Sequence, residues 1–184
     1  TEWHTSTASA MLTYNDANRL LSEVVAQAGK SLSRSYTYHP NGQLKTFTGP
    51  DGSTVGYDYD GNGLLARVNI PGQGAISITE RKWMTPTKVQ FPGGTADEYE
   101  RNGDLQPTRL RVRSPNQAVL FESKVIYGSL GEVDNRTIQG QLTDLTYDDG
   151  QRLVAADPSG MSGQEVFHLD SAGNRLSDNQ VTSP

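Results

Sequence analysis

Short apolar and polar positions alternate along much of the chain, with the period of a strand. Arg67-Val68-Asn69-Ile70 and Ala75-Ile76-Ser77-Ile78 show it plainly. Successive side chains of a strand point to opposite faces, so each stretch predicts a half-buried strand. LKTFT, VGYDY, KVQF, LRVR, AVLFESKVIY, LTDLTY and EVFHL add further runs with β-formers. Turn residues punctuate them at GPDG (49–52), IPGQG (70–74), FPGGT (91–95), SPNQ (114–117), IQGQ (138–141) and DPSGMSG (157–163). Turns at intervals of ~8–12 residues indicate an all-β chain. One segment competes. DANRLLSEVVAQAG (16–29) places Leu20, Leu21, Val24, Val25 and Ala28 at helical spacing, with Gly29 as a stop. Its place in the repeat described next favours a strand.

A second, longer pattern overlies the first. YNDANRL begins at Tyr14, YHPNGQL at Tyr38, YDGNGLL at Tyr59, YERNGDL at Tyr99, YGSLGEV at Tyr127 and YDDGQRL at Tyr147. LDSAGNRL at Leu169 reads as a copy with Leu for Tyr and one extra residue, and WMTPTKV at Trp83 as a degenerate one. Successive starts lie 24, 21, 24, 16, 28, 20 and 22 residues apart, a repeat-protein spacing. The shared element is an aromatic, a glycine four residues on, and Leu or Val two further. Gly42, Gly63, Gly103 and Gly131 fill the glycine position, and Asn18 stands there in the first copy. Both residue types adopt positive φ at low cost, as a short hairpin loop requires. Each Tyr is then expected to end a strand, and Leu20, Leu44, Leu65, Leu105 or Leu153 to open the next. In the Tyr147 copy the glycine comes one place early, at Gly150, which predicts a shifted loop.

The repeat resembles the YD repeat of RHS proteins, whose pattern is roughly Tyr-Asp-x-x-Gly-Arg-Leu. YDGNGLL, YDDGQRL and LDSAGNRL carry it most fully, and the resemblance runs from about residue 12 to 178. It implies stacked hairpins in an antiparallel ribbon that spirals into a hollow shell. In bacterial toxin complexes and polymorphic toxins such a shell encloses a C-terminal toxin; in teneurins it forms an extracellular barrel. The expected fold is therefore an all-β ribbon of about eight hairpins over residues 1–184, a curved open sheet excerpted from a longer protein. Expected partners are neighbouring repeats and a C-terminal cargo, in a secreted or cell-surface bacterial protein. Unpaired edge strands would invite a second copy to pair. Asn15, His39, Glu100 and Gly128 stand where the family often has Asp, so that Asp is not read as a shared ligand.

Composition narrows the chemistry. The net charge is −5 with signs interspersed, which argues against nucleic acid. No apolar run approaches the ~18 residues of a membrane span. There is no initiator Met or signal pattern, so the chain reads as starting mid-protein or after processing. Absence of Cys removes disulfides and thiolate chemistry. Asp58-x-Asp60-x-Asn62-Gly63 opens like a calcium loop, but Asn69 occupies the position of the bidentate acid and the flanks are strand-like. It reads as a turn whose acids bond local backbone. Asp157-Pro158-Ser159-Gly160-Met161 resembles the shell-closing motif of RHS proteins, yet a repeat follows it, so it too reads as a turn. His4, His39 and His168 are scattered, and no Gly-x-Ser-x-Gly elbow is present. No catalytic residue, metal or cofactor is assigned. Tyr14, Tyr38, Tyr59, Tyr99, Tyr127 and Tyr147 form an expected packing ladder. Trp83, Tyr36 and Tyr57 are the candidates for stacking on a glycan, should one sheet face bind a sugar or a cell-surface protein instead. Asn135-Arg136-Thr137 is a glycosylation sequon, relevant only on a eukaryotic secretory route.

Overall fold

A computed structural model of the chain describes residues 2–4, 8–159 and 163–181. These form strands and turns, with no helix among the described residues. Two compact units divide the chain, Thr1–Gly94 and Thr95–Pro184. The first holds β1 (Glu2–His4), β2 (Ala8–Tyr14), β3 (Leu20–Gln27), β4 (Lys30–Tyr38), β5 (Leu44–Thr48), β6 (Thr54–Tyr59), β7 (Leu65–Ile70), β8 (Gly74–Lys82) and β9 (Thr85–Gln90). The second holds β10 (Ala96–Arg101), β11 (Pro107–Arg113), β12 (Val119–Tyr127), β13 (Val133–Ile138), β14 (Gln141–Tyr147), β15 (Leu153–Pro158), β16 (Gln164–Leu169) and β17 (Arg175–Val181). Within each unit every strand pairs antiparallel with the next in sequence. The architecture is an all-β ribbon of stacked hairpins. The segment with helical spacing is β3, and Ala28 and Gly29 turn the chain at φ 49° and 77°.

Alternation decides what each face carries. In β4, Ser31, Ser33, Ser35 and Thr37 share one face, and Leu32, Arg34, Tyr36 and Tyr38 the other. Directly opposed residues share a face, so the pattern passes from strand to strand. Thr13–Ser22, Thr37–Thr46 and Thr48–Thr54 are opposed pairs joined hydroxyl to hydroxyl at 2.6, 2.6 and 2.9 Å. Behind them Tyr36 packs on Phe47, ring centroids 5.4 Å apart. In the second unit the alternation of β11 gathers charge. Arg109, Arg111 and Arg113 lie between Glu98 and Glu100 of β10 and Glu122 and Lys124 of β12. Glu122 accepts from Arg111 at 2.8 Å, meets Arg109 at 3.3 Å and Lys124 at 2.9 Å, while Arg113 reaches Glu98 at 2.6 Å.

The core is as thin as a low apolar content allows. Among the described residues only Ala10, Ala96 and Ala155 are buried, and no large side chain is fully enclosed. Stability must come from ladders and opposed pairs, each worth roughly 0.2–1 kcal/mol. The turns lie where Pro and Gly marked them, with one correction. Asp157 and Pro158 continue β15, opposite Asp144 and Thr143, and Ser159 N–H still donates to Leu142 at 2.8 Å. The strand ladder outcompetes an early turn there. Gly160, Met161 and Ser162 lie outside the described residues.

Candidate functional site: the row of hairpin loops

One loop design recurs along one edge of each unit. In the Tyr59 copy, Asp60 N–H donates to Leu64 O and Gly63 N–H to Asp60 O, at 2.8 and 2.9 Å. Asp60 Oδ1 then accepts the N–H groups of Asn62 and Leu64, both at 2.9 Å. The same double acceptance is made by Asn15, Asn102, Asp148 and Asp170. A short Asx side chain satisfies the loop's interior donors. Arg152 beside Asp148, and Asn174 beside Asp170, hold those carboxyls below their ordinary values by side-chain hydrogen bonding. Gly128 has no such side chain, and Glu132 substitutes by accepting from Leu130 N–H at 2.9 Å. A Cβ on Gly128 would collide with that carboxylate.

The calcium-like acids are thereby accounted for. Asp60 caps its own loop and faces Arg81 Nε at 3.7 Å, and Asp58 accepts from Asn69 at 2.9 Å. The acids bond backbone and neighbouring strands.

The tyrosine and its partner six residues on are opposed at Tyr14–Leu20, Tyr38–Leu44, Tyr59–Leu65, Tyr127–Val133 and Tyr147–Leu153, each beside a β-bulge. Gly42, Gly63 and Gly131 have φ of 92°, 77° and 87°. Three expectations need correction. In the Tyr99 copy the loop slides two residues: Arg101 opposes Pro107, and Leu105, not Gly103, takes positive φ at 64°. Leu105 is therefore an exposed loop residue, not the opening of β11. The reason is Asn102, which can cap a loop where Glu100 is too long. In the Tyr147 copy the loop does not shift at Gly150; Gln151 adopts φ 59° in the ordinary place, with Asp148 as the cap. The Leu169 copy has no extra loop residue. Arg175 opposes Leu169, and Leu176 is displaced into the bulge, exposed.

Neighbouring loops are clasped together, which the sequence reading missed. Tyr38 OH donates to Leu20 O at 2.7 Å, and Tyr127 OH to Pro107 O at 2.9 Å. In the degenerate copy Trp83 does not end a strand as expected but lies in the loop after β8, and Arg81, two residues earlier, donates to Leu65 O in the manner of the tyrosine. In the other direction the residue before the strand opening reaches forward. Gln43 donates to Gly63 O at 2.6 Å, Gln106 to Gly131 O at 3.4 Å and Arg152 to Asp170 O at 3.2 Å. Arg19 lies over the Tyr38 ring, 5.3 Å from its centroid. The signal available was the long polar residue at Arg19, Gln43, Gln106 and Arg152. The tyrosines thus do more than stack. Tyr38 and Tyr127 make this bond, whereas Tyr99 donates to Asp97, with desolvation raising its pKa.

His39, Pro40, Asn41 and Gln43 of one loop and Tyr59 and Asp60 of the next line a hollow of about 300 Å³. His39 Nε2 lies 3.1 Å from Tyr57 O, and its ring meets Tyr59 edge-on. The three glycan candidates are not gathered together. Tyr36 is half-buried on β4 and Tyr57 half-buried on β6, while Trp83 stands 86% exposed at the tip between β8 and β9, with φ 61°.

A family model described as Teneurin YD-shell matches residues 1–157. The chain belongs to this family. Solved structures share the fold of this YD-shell chain. A crystal structure of TcdB2-TccC3 with Cdc42 superposes at a TM-score of 0.81 with 15% identity, over 96% of this chain and 11% of that one. The Photorhabdus luminescens Tc holotoxin pore with a TccC3 variant gives 0.79 and 16%, over 96% and 11%. The YD-shell chain spans about a tenth of the length of these chains. No curated protein sequence matches it.

Proposed function

We propose that the chain is a section of the wall of a β-shell, part of one repeat array in a longer exported bacterial protein whose C-terminal segment the wall encloses. Its role in this reading is mechanical and non-catalytic. The observation that carries it is the clasped loop row. Several hairpins bond to a neighbour's loop, as Tyr38 does to Leu20 O and Gln43 to Gly63 O, a contact that a further hairpin can repeat. Membership of a shell-named family supports the same reading. Limited proteolysis of the parent protein tests it. The C-terminal segment should resist cleavage while the wall is folded and become sensitive once it unfolds. Equal sensitivity in the folded protein and in the isolated segment would overturn it.

Trp83 favours a second reading, as a contact for a glycan or surface protein, because a bulky aromatic is left exposed at positive φ. Saturable sugar binding lost on Trp83→Ala would support it; no binding at millimolar sugar would discard it.

A further inference from the structure

The chain holds three Asn-Gly pairs, 41–42, 62–63 and 102–103, and we propose that Asn62–Gly63 is a site of spontaneous deamidation selected by the fold. The step is internal. The Gly63 main-chain nitrogen bonds to Asn62 Cγ, the Cγ–Nδ2 bond breaks, and the glycine proton leaves with the amide as ammonia. Water then opens the resulting succinimide at either carbonyl, giving aspartate or isoaspartate. A following glycine leaves the approach unhindered.

Asn41 and Asn62 are a matched pair. Both sit two residues after the loop's first residue, and both following glycines donate to that residue's carbonyl at 2.9 Å. Their side chains differ. The His39 ring is turned to Tyr57 O and the Tyr59 ring and takes no interior N–H, so Asn41 Oδ1 takes the Gln43 N–H at 3.1 Å, and Asn41 Nδ2 donates to Gln43 Oε1 at 2.6 Å. In the next loop Asp60 accepts from Leu64 N–H instead. Asn62 is left exposed, its carboxamide without a hydrogen-bond partner among the described residues. No hydrogen bond among the described residues holds it away from Gly63. Asn102 is held more firmly still, accepting from Asp104 and Gln106 N–H and donating to Gln106 Oε1. Isoaspartate at Asn62 would insert one carbon into the main chain beside the carbonyl that Gln43 clasps. The modification thereby loosens two neighbouring hairpins.

The test is mass-spectrometric peptide mapping of the whole folded chain after timed incubation at mildly alkaline pH. Asn62 is expected to convert at least about fivefold faster than Asn41, the weight of the Asn41 Nδ2 bond alone. In denaturant the two should convert alike, and Gln43→Leu, which removes the partner of Asn41 Nδ2 but keeps the residue-43 N–H that Asn41 Oδ1 accepts, should bring Asn41 part of the way to the rate of Asn62. Equal rates in the folded chain overturn the proposal, as does the same preference in denaturant or an unchanged Asn41 in the Gln43→Leu chain.

Discussion

Gly63 holds φ at 77° at the point where its loop closes on Asp60. Gly63→Val should lower stability by roughly 1–3 kcal/mol, because a β-branched residue is strained there. Gly61→Ala should be nearly silent, since its backbone is ordinary and no atom lies near its Cβ direction. Thermal melting of the two variants compares them. Asp60 bonds local backbone as its sequence suggested, and the loop depends on it more than variation among the copies implies. With its metal reading set aside, Asp60→Ala looks harmless, because other copies lack the acid. The loop's hydrogen bonds show otherwise, since two interior N–H groups depend on Oδ1. Asp60→Ala should cost about 0.5–2 kcal/mol, as for a lost cap, whereas Asp60→Asn should be tolerated. Asn15 and Asn102 already do the same work. An equal melting temperature for Asp60→Ala and the parent chain would remove the cap from the account.

Strand order and pairing were legible in the alternation and the turn residues, because those signals are local. What stayed hidden was the frame of individual loops and everything passing between them. Tyr99 and Gly103 mimic the repeat, yet Asn102 decides the frame two residues later. The clasps join residues 16 to 25 positions apart, and a polar residue before a leucine does not announce its target. Tyr38→Phe removes one clasp and should cost about 0.5–1.5 kcal/mol, with faster amide exchange around Leu20 and Leu44. Tyr14→Phe is the control, its hydroxyl having no partner among the described residues. The charged face of β10, β11 and β12 makes a further prediction. Hydrogen bonding from Arg111, then Lys124, lowers the Glu122 pKa to about 2. A lowered carboxylate pKa stabilises the fold fully above the ordinary value of 4.5, and the gain is lost as pH falls toward 2. The stability difference between parent and Glu122→Gln should therefore shrink between those pH values. A difference that stays constant across the window would show that the charge at Glu122 contributes nothing.

At the scale of the whole molecule, no large side chain among the described residues is fully buried, and each unit is built from sheet. Its logic is that of a repeat protein, in which each hairpin leans on the next. That logic suits a wall, which must be long and continuous, better than an enzyme cleft, which needs reactive groups brought together in a pocket. Asx caps fix the loops that begin at Asn15, Asp60, Asn102, Asp148 and Asp170, clasps tie several loops to a neighbour, and the opposed pairs fix the faces. The central claim is that this clasped ribbon is a shell wall. Cryo-electron microscopy of the longest form of the protein that can be produced tests it most directly. The account predicts residues 8–159 as consecutive antiparallel hairpins in a curved wall, with density for other chain on its enclosed side. A ribbon folded back into a compact sandwich, or a wall with no enclosed space beside it, would contradict it.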